Sequence, residues 1–401
     1  MKVRMYNVGF GDCFCLRDRK KSLLVDFGPN NSRIEGRPRR EIFDVIISDL
    51  STIKSKNLLL THFHMDHLSG LLYMMKKKDI SVDFGKIYLP DVFSKKEMSR
   101  TLVLLLLADL LKESGLPSRQ VSLFALVDAL LENKQNVELL SRGKLFENKY
   151  QALWPDTDVI RKETDEVYNR ICEDGKFKEV MDVLLEFAEK LRLIVWSMTA
   201  EGNKPAETVE KETDLTASEL TEQPEVRQKI IRAYVYEREF RRIKALPDFK
   251  KLLAWLNENQ INLRQFKHKI SIVFQNARDG ELNLLFTGDA QPEHLKMIAE
   301  NYDGKLPLYE HYWCIKVPHH GTQGHYFDFS QYEPENMLIS NGIHFANSKK
   351  ESKDRRGNFS RRCGQAGGNS RGLLLLSRSL GAGAETRRFH AHYGAAVSHP
   401  V

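Results

Sequence analysis

The run Thr61-His62-Phe63-His64-Met65-Asp66-His67 constrains this chain more than any other feature. Four candidate metal ligands fall within six residues, directly after the apolar segment Leu58 to Leu60. Imidazole nitrogens and a carboxylate are the donors that borderline divalent cations take at about 2.0 to 2.2 Å, with zinc the first expectation. A polar surface loop with chance histidines is the alternative. It fits poorly, because the chain has only 13 histidines and this loop leaves an apolar strand.

Other strand-like segments surround that loop. Lys2 to Val8, Cys13 to Leu16 and Ser22 to Val25 read as strands broken at Gly9 and Gly11, and Tyr150 to Trp154 resembles one more. Lys269 to Gln275, Leu282 to Phe286, Cys314 to Val317 and Met337 to Ser340 follow, with a helix expected from Pro292. Several of these end in polar residues, which places chemistry at strand ends. Helical spacing fills the intervals. From 158 to 265, Val180, Val183, Leu184, Phe187, Leu191 and Ile194 form an apolar stripe, and Ala200 to Glu225 reads as a linker. The expected division is 1–157 with a helical excursion at 95–142, an inserted helical subdomain at 158–265, a second strand group at 266–344, and a basic Gly/Arg-rich tail at 345–401, disordered or without a packed role.

The His-x-His-x-Asp-His run resembles the metal-binding motif of the metallo-β-lactamase fold superfamily, and further segments resemble its other motifs in the right order. These are Ser22 to Gly28 with Asp26 closing a strand, Asp289 in FTGDA, and Pro318-His319-His320-Gly321. With NVGFGDC at 7–13 and PHHGT at 318–322, the pattern most resembles the branch containing the hydrolase domain of bacterial DNA-uptake (competence) channel proteins. Matching pieces cover 1–90, 145–157 and 266–343. The resemblance implies an α/β, four-layer αβ/βα sandwich, its halves supplied by 1–157 and 266–344, with two divalent metal ions.

On that resemblance His62 and His64 bind the first metal, Asp66 and His67 the second, and Asp289 bridges both, while Asp26 orients ligands by hydrogen bonds. The last ligand is His319 or His320. Adjacent side chains of an extended segment point opposite ways, so only one should bind, and His320 is favoured because Gly321 permits close approach. Many relatives place another histidine before the bridging carboxylate. Here His268 is the candidate, with a solvated surface residue as the alternative; without it, manganese or a single metal would be expected in place of two zinc ions.

Bound cations would lower the pKa of a water toward ~7 and stabilise an in-line displacement, with Asp66 orienting or deprotonating that water. Thr322 and Lys316 are expected at the substrate phosphate, against a turn hydroxyl and a solvated strand residue. His325 and His344 are candidate leaving-group acids. Asp12, beside the tight turn at Gly9 and Gly11, is expected either to hydrogen-bond a metal ligand or to cap the turn. The function expected is a metal-dependent phosphodiesterase or nuclease acting on DNA, RNA or a nucleotide. Alternatives are hydrolysis of a carbon ester, lactone or amide, or a regulatory binding protein with a structural or decayed metal site.

Charge adds little to the choice of substrate. The net charge is +7, but residues 345–401 hold eleven Lys and Arg against three acids, so the other 344 residues sum to −1. Between Arg232 and Lys244, cations and aromatics interleave in a way that suits nucleic acid or a half-solvated helix. The helical insertion is expected to serve as a lid or as a platform for a protein partner. Five cysteines with no Cys-x-x-Cys pair point to a reducing, cytoplasmic setting. The apolar run from Leu102 is interrupted by Asp109 and falls short of the roughly 20 residues that span a bilayer, so no membrane partner is expected.

Overall fold

A computed structural model describes residues 1–18, 21–29, 33–34, 37–77, 83–112, 122–132, 135–173, 175–202, 240–340 and 373–376. The chain divides into two compact units. One comprises Met1–Leu89, Leu140–Pro155 and Ser271–Val401, the other Pro90–Leu139 and Asp156–Ile270.

In the first unit, the strands Lys2–Met5, Phe14–Asp18 and Lys21–Val25 run antiparallel, after which Ser55–Leu59 and Ile87–Pro90 continue the sheet in parallel. A second sheet begins as an antiparallel meander of Leu145–Phe146, Tyr150–Trp154, Val273–Asn276 and Leu284–Phe286. It ends in parallel strands, Leu284–Phe286, Cys314–Lys316, Asn336–Ile339 and Leu373–Leu376. Alternation along each strand decides what is buried where. Met5, Phe14, Leu23, Val25 and Leu59 meet Phe274, Leu284 and Phe286 in one core between the sheets, with Phe14 edge-on to Phe286 at 5.5 Å. Leu24 and Leu58 are equally buried on the opposite face.

Two helices, Arg39–Ser51 and Met65–Lys76, pack through Phe43 and Tyr73 at 5.2 Å, and Phe43 meets Phe27, just beyond the Lys21–Val25 strand, at 5.4 Å. On the second sheet Trp154 stacks on His294 of the helix Pro292–Ala299 at 4.4 Å. Helices outside and two sheets inside make this a mixed α/β unit consistent with the metallo-β-lactamase fold.

The sequence pattern starts the third strand of the second sheet at Lys269. Instead Lys269 closes the helix Arg264–Lys269, where its ammonium pairs with Glu163, and sheet pairing begins at Val273. Within 345–401 the strand Leu373–Leu376 is described. The rest of that tail, His344, residues 203–225 of the expected linker and Arg232–Glu239 lie outside the described residues.

The second unit is built of helices, among them Ser99–Lys112, Ser122–Glu132, Thr157–Cys172 and Lys178–Ser197. Ser99–Lys112 is central to it: Leu102 to Leu107 are all fully buried, as an apolar sequence around the whole helix requires. The Val180-to-Ile194 stripe is buried as its spacing predicts. Thr157–Cys172 starts at Asp156, whose carboxylate accepts from the N–H groups of Asp158 and Val159 at 3.0 and 3.1 Å. Among the described residues, no helix is long and apolar enough to cross a membrane.

Candidate metal centre

Parallel strands deliver their polar ends to one place. Lys21–Val25 runs into Asp26, Ser55–Leu59 into His62 and His64, Leu284–Phe286 into Asp289, Cys314–Lys316 into His319 and His320, and Asn336–Ile339 into Ser340. The helix Met65–Lys76 opens directly after His64, so Asp66 lies in its first turn, where the helix dipole favours a carboxylate. The loop before Cys13 is stitched onto that helix start. Asp12 N–H donates to the Asp66 carbonyl, and Gly28 N–H to the Asp12 carbonyl, both at 3.1 Å. The fit leaves no room at Gly11, where a Cβ would come within 2.0 Å of the Gly28 carbonyl oxygen.

Asp26 organises the first half of the site. Its Oδ1 accepts Thr61 N–H at 2.7 Å, and its Oδ2 accepts Thr61 Oγ1–H at 2.8 Å and faces His67 Nδ1 at 2.8 Å. Asp26 itself has a left-handed backbone, φ 57°, a region Asp tolerates better than most residues. His67 Nε2 then faces Asp289 Oδ2 at 3.2 Å. His62 Nε2 lies 2.9 Å from His64 Nδ1 and 3.7 Å from the same Asp289 oxygen.

Asp289 Oδ2 is the point of convergence. Besides His62 and His67, it has His319 Nε2 and His320 Nε2 each at 3.8 Å. His320 is fully buried, and its Nε2 makes no hydrogen bond while standing 3.5 Å from Asp66 Oδ2. Its Nδ1 is occupied by Asp12 Oδ1 and Ser340 Oγ, both at 3.1 Å. A buried ring nitrogen with no hydrogen-bond partner, aimed between carboxylates, is what a cation ligand looks like before the cation is bound. The ligand atoms of His62, His67 and Asp289 lie within 4.8 Å of one another, as do those of Asp66, His67 and His320.

The expectation that His319 and His320 point opposite ways rested on an extended segment. The backbone is left-handed at both, φ 45° and 56°, and continues so at Gly321, so both imidazoles turn toward Asp289. His319 is less buried, with Nδ1 on Thr322 Oγ1 at 2.5 Å; that hydroxyl lies 3.4 Å from His325 Nδ1. Lys316, expected at a substrate phosphate, is buried, with its ammonium on Asp12 and on the Gly288 carbonyl at 2.7 Å. His268 is buried in the helix Arg264–Lys269 of the second unit.

Thr61, Ser271 and Ser340 were not singled out from sequence. Ser271 Oγ accepts Asp289 N–H at 2.8 Å, and Ser340 donates to Asp12. The available signal was position, since Thr61 and Ser340 each close an apolar strand.

Electrostatics agree with a cation site. Among the described residues, four carboxylates, Asp12, Asp26, Asp66 and Asp289, stand against one ammonium, Lys316, so neutral imidazoles would leave a large negative excess. Burial disfavours the His67 imidazolium, yet Asp289 and Asp26 outweigh it and raise its pKa well above the ordinary value. Burial is likewise overcome at His320, where Asp12 and Asp289 push the pKa up to about 9. Burial raises Asp289, but His67 and His320 hold it well below the usual carboxylate range. Asp26 moves up, because burial outweighs His67. Without a cation, the site thus draws in protons to offset its carboxylates.

No curated protein and no solved structure matches the chain. Residues 6–91, which carry Asp12, Asp26 and the His62-to-His67 loop, match the family model of the Metallo-beta-lactamase superfamily, whose members are mostly metal-dependent hydrolases.

Proposed function

We propose that this chain is a metal-dependent phosphodiesterase acting on nucleic acid or a nucleotide. The observation that carries the metal half of the reading is the convergence of His62, His67, His319 and His320 on one oxygen of Asp289. His62, His64, Asp66, His67, Asp289 and His320 are the residues that would hold divalent cations, two of them on the resemblance, with zinc or manganese matching imidazole and carboxylate donors. What such cations supply when bound is Lewis acidity, a lowered water pKa and stabilisation of charge on the attacked group.

The chain's own residues do the rest. Asp26 and Asp12 fix the ring orientation of His67 and His320. Asp66, less enclosed than Asp289, has a carboxylate able to orient a water or take its proton. Thr322 and His325, linked at 3.4 Å beside His319, are the groups we assign to the leaving oxygen's side. Support for a phosphodiester over a carbon ester comes from NVGFGDC and PHHGT, which resemble the DNA-uptake branch. A cytoplasmic setting fits the free cysteines Cys13, Cys15, Cys172 and Cys314.

The test is metal analysis of the purified protein, followed by hydrolysis of bis-para-nitrophenyl phosphate, single-stranded DNA and para-nitrophenyl acetate, wild type against Asp66→Ala. We expect bound divalent metal and phosphodiester cleavage that the substitution removes. Cleavage of the acetate alone would move the assignment to carbon esters, and absence of metal would overturn the reading.

A further inference from the structure

Among the described residues, Lys316 is the one buried ammonium within the carboxylates of this site, and it is the last residue of the strand Cys314–Lys316 rather than a loop residue. An ammonium has three N–H donors. Here the partners number three: Asp12 Oδ2, the Gly288 carbonyl at 2.7 Å and Asp289 Oδ1 at 3.5 Å. With a side chain 1% exposed, no donor is left for a substrate phosphate.

The two oxygens of Asp289 are therefore sorted. Oδ1 faces Lys316, and Oδ2 faces the imidazoles of His62, His67, His319 and His320. The other partner of Lys316 leads to a second ligand. Asp12, held by Lys316 on Oδ2, takes Ser340 and His320 Nδ1 on Oδ1, which aims His320 Nε2 at Asp66 and Asp289.

We infer that Lys316 is a positioning residue for the metal centre: one ammonium keeps Asp289 presenting a single oxygen and, through Asp12, fixes the orientation of His320. This rests on the metal reading above. A purely structural lysine would only neutralise the buried Asp12, and the two roles separate by substitution. Lys316→Met alone strands a buried carboxylate and can fail to fold. Asp12→Asn with Lys316→Met removes both charges together, and the amide oxygen introduced by the first change retains an acceptor for His320.

The experiment is cobalt(II) titration of the metal-free full-length protein, wild type against that double variant. Affinity and the visible ligand-field spectrum are read, with folding checked by circular dichroism. We expect a folded double variant whose cobalt affinity falls at least about tenfold and whose spectrum changes, because Asp289 Oδ1 is released. Wild-type affinity and spectrum in the double variant would overturn the inference while leaving the metal reading intact. A wild type that binds no cobalt would overturn the metal reading, and the inference with it.

Discussion

His67 presents Nδ1 to Asp26 Oδ2 at 2.8 Å and Nε2 to Asp289 Oδ2 at 3.2 Å, so one imidazole joins the two halves of a chain separated by more than two hundred positions. Asp26 receives three donors in all, Thr61 N–H, Thr61 Oγ1–H and His67 Nδ1. An asparagine has one acceptor oxygen and one donor group, so it must turn a donor toward a donor. Asp26→Asn is therefore expected to weaken zinc binding by about 10- to 100-fold, measured by competition with a chromogenic chelator. Unchanged affinity would remove Asp26 from the support of the centre.

The raised pKa values of His67 and His320 set a pH dependence with a definite sign. A folded-state pKa above the unfolded value of 6.5 contributes stability that is complete below 6.5 and lost as pH rises through the folded value, about 9 for His320. The metal-free protein should thus lose stability between pH 6.5 and 9, on the order of a few kcal/mol, read as a falling melting temperature. Cations bind the unprotonated rings, so metal affinity should rise over the same window. Thermal melts with and without zinc should diverge as pH rises. A constant gap would show that protons and cations do not compete at these rings.

Much of the site could be read from sequence because each contributing segment follows one local rule, an apolar strand ending in polar residues. Asp26, His62 and Asp289 all stand just past such ends. What could not be read depends on backbone or partner choices made at long range. Nothing local states that His319 and His320, both with Cβ atoms, take left-handed conformations and so face the same way. Lys316 in Cys-Ile-Lys-Val reads as a substrate-phosphate contact or a solvated strand residue and not as a buried ion-pair member, because its carboxylate partner, Asp12, lies about three hundred positions away. The start of the Val273–Asn276 strand was blurred for another reason. His-Lys-Ile-Ser-Ile-Val-Phe fits a strand throughout, but its first residues close a helix in which Lys267 is held by Asp109 and Ser122 and Lys269 by Glu163.

The two adjacent histidines should respond differently to truncation. His320 is fully buried, with Nδ1 held by Asp12 and Ser340 and no hydrogen bond at Nε2. His319 is partly exposed and shares Nδ1 with Thr322. His320→Ala is expected to lower zinc stoichiometry or affinity by at least about tenfold. His319→Ala should retain more metal and lose more turnover of bis-para-nitrophenyl phosphate. Metal content by plasma mass spectrometry together with kcat on each variant checks this; equal metal loss would make both residues ligands of similar weight.

In the second unit, the stability prediction concerns Lys267, whose ammonium contacts Asp109 and lies 2.7 Å from Ser122 Oγ. Asp109 also accepts Ser122 Oγ–H at 3.0 and 3.1 Å, and both charged side chains are 5% exposed. The pair and Ser122 link the helices Ser99–Lys112, Ser122–Glu132 and Arg264–Lys269. Asp109→Ala leaves a buried ammonium with only the serine, which should cost about 3 to 5 kcal/mol in urea unfolding. Asp109→Leu with Lys267→Met replaces the pair by apolar side chains and should recover most of that loss. If the single and double variants unfold at the same urea concentration, the cost lies in packing rather than in the stranded charge.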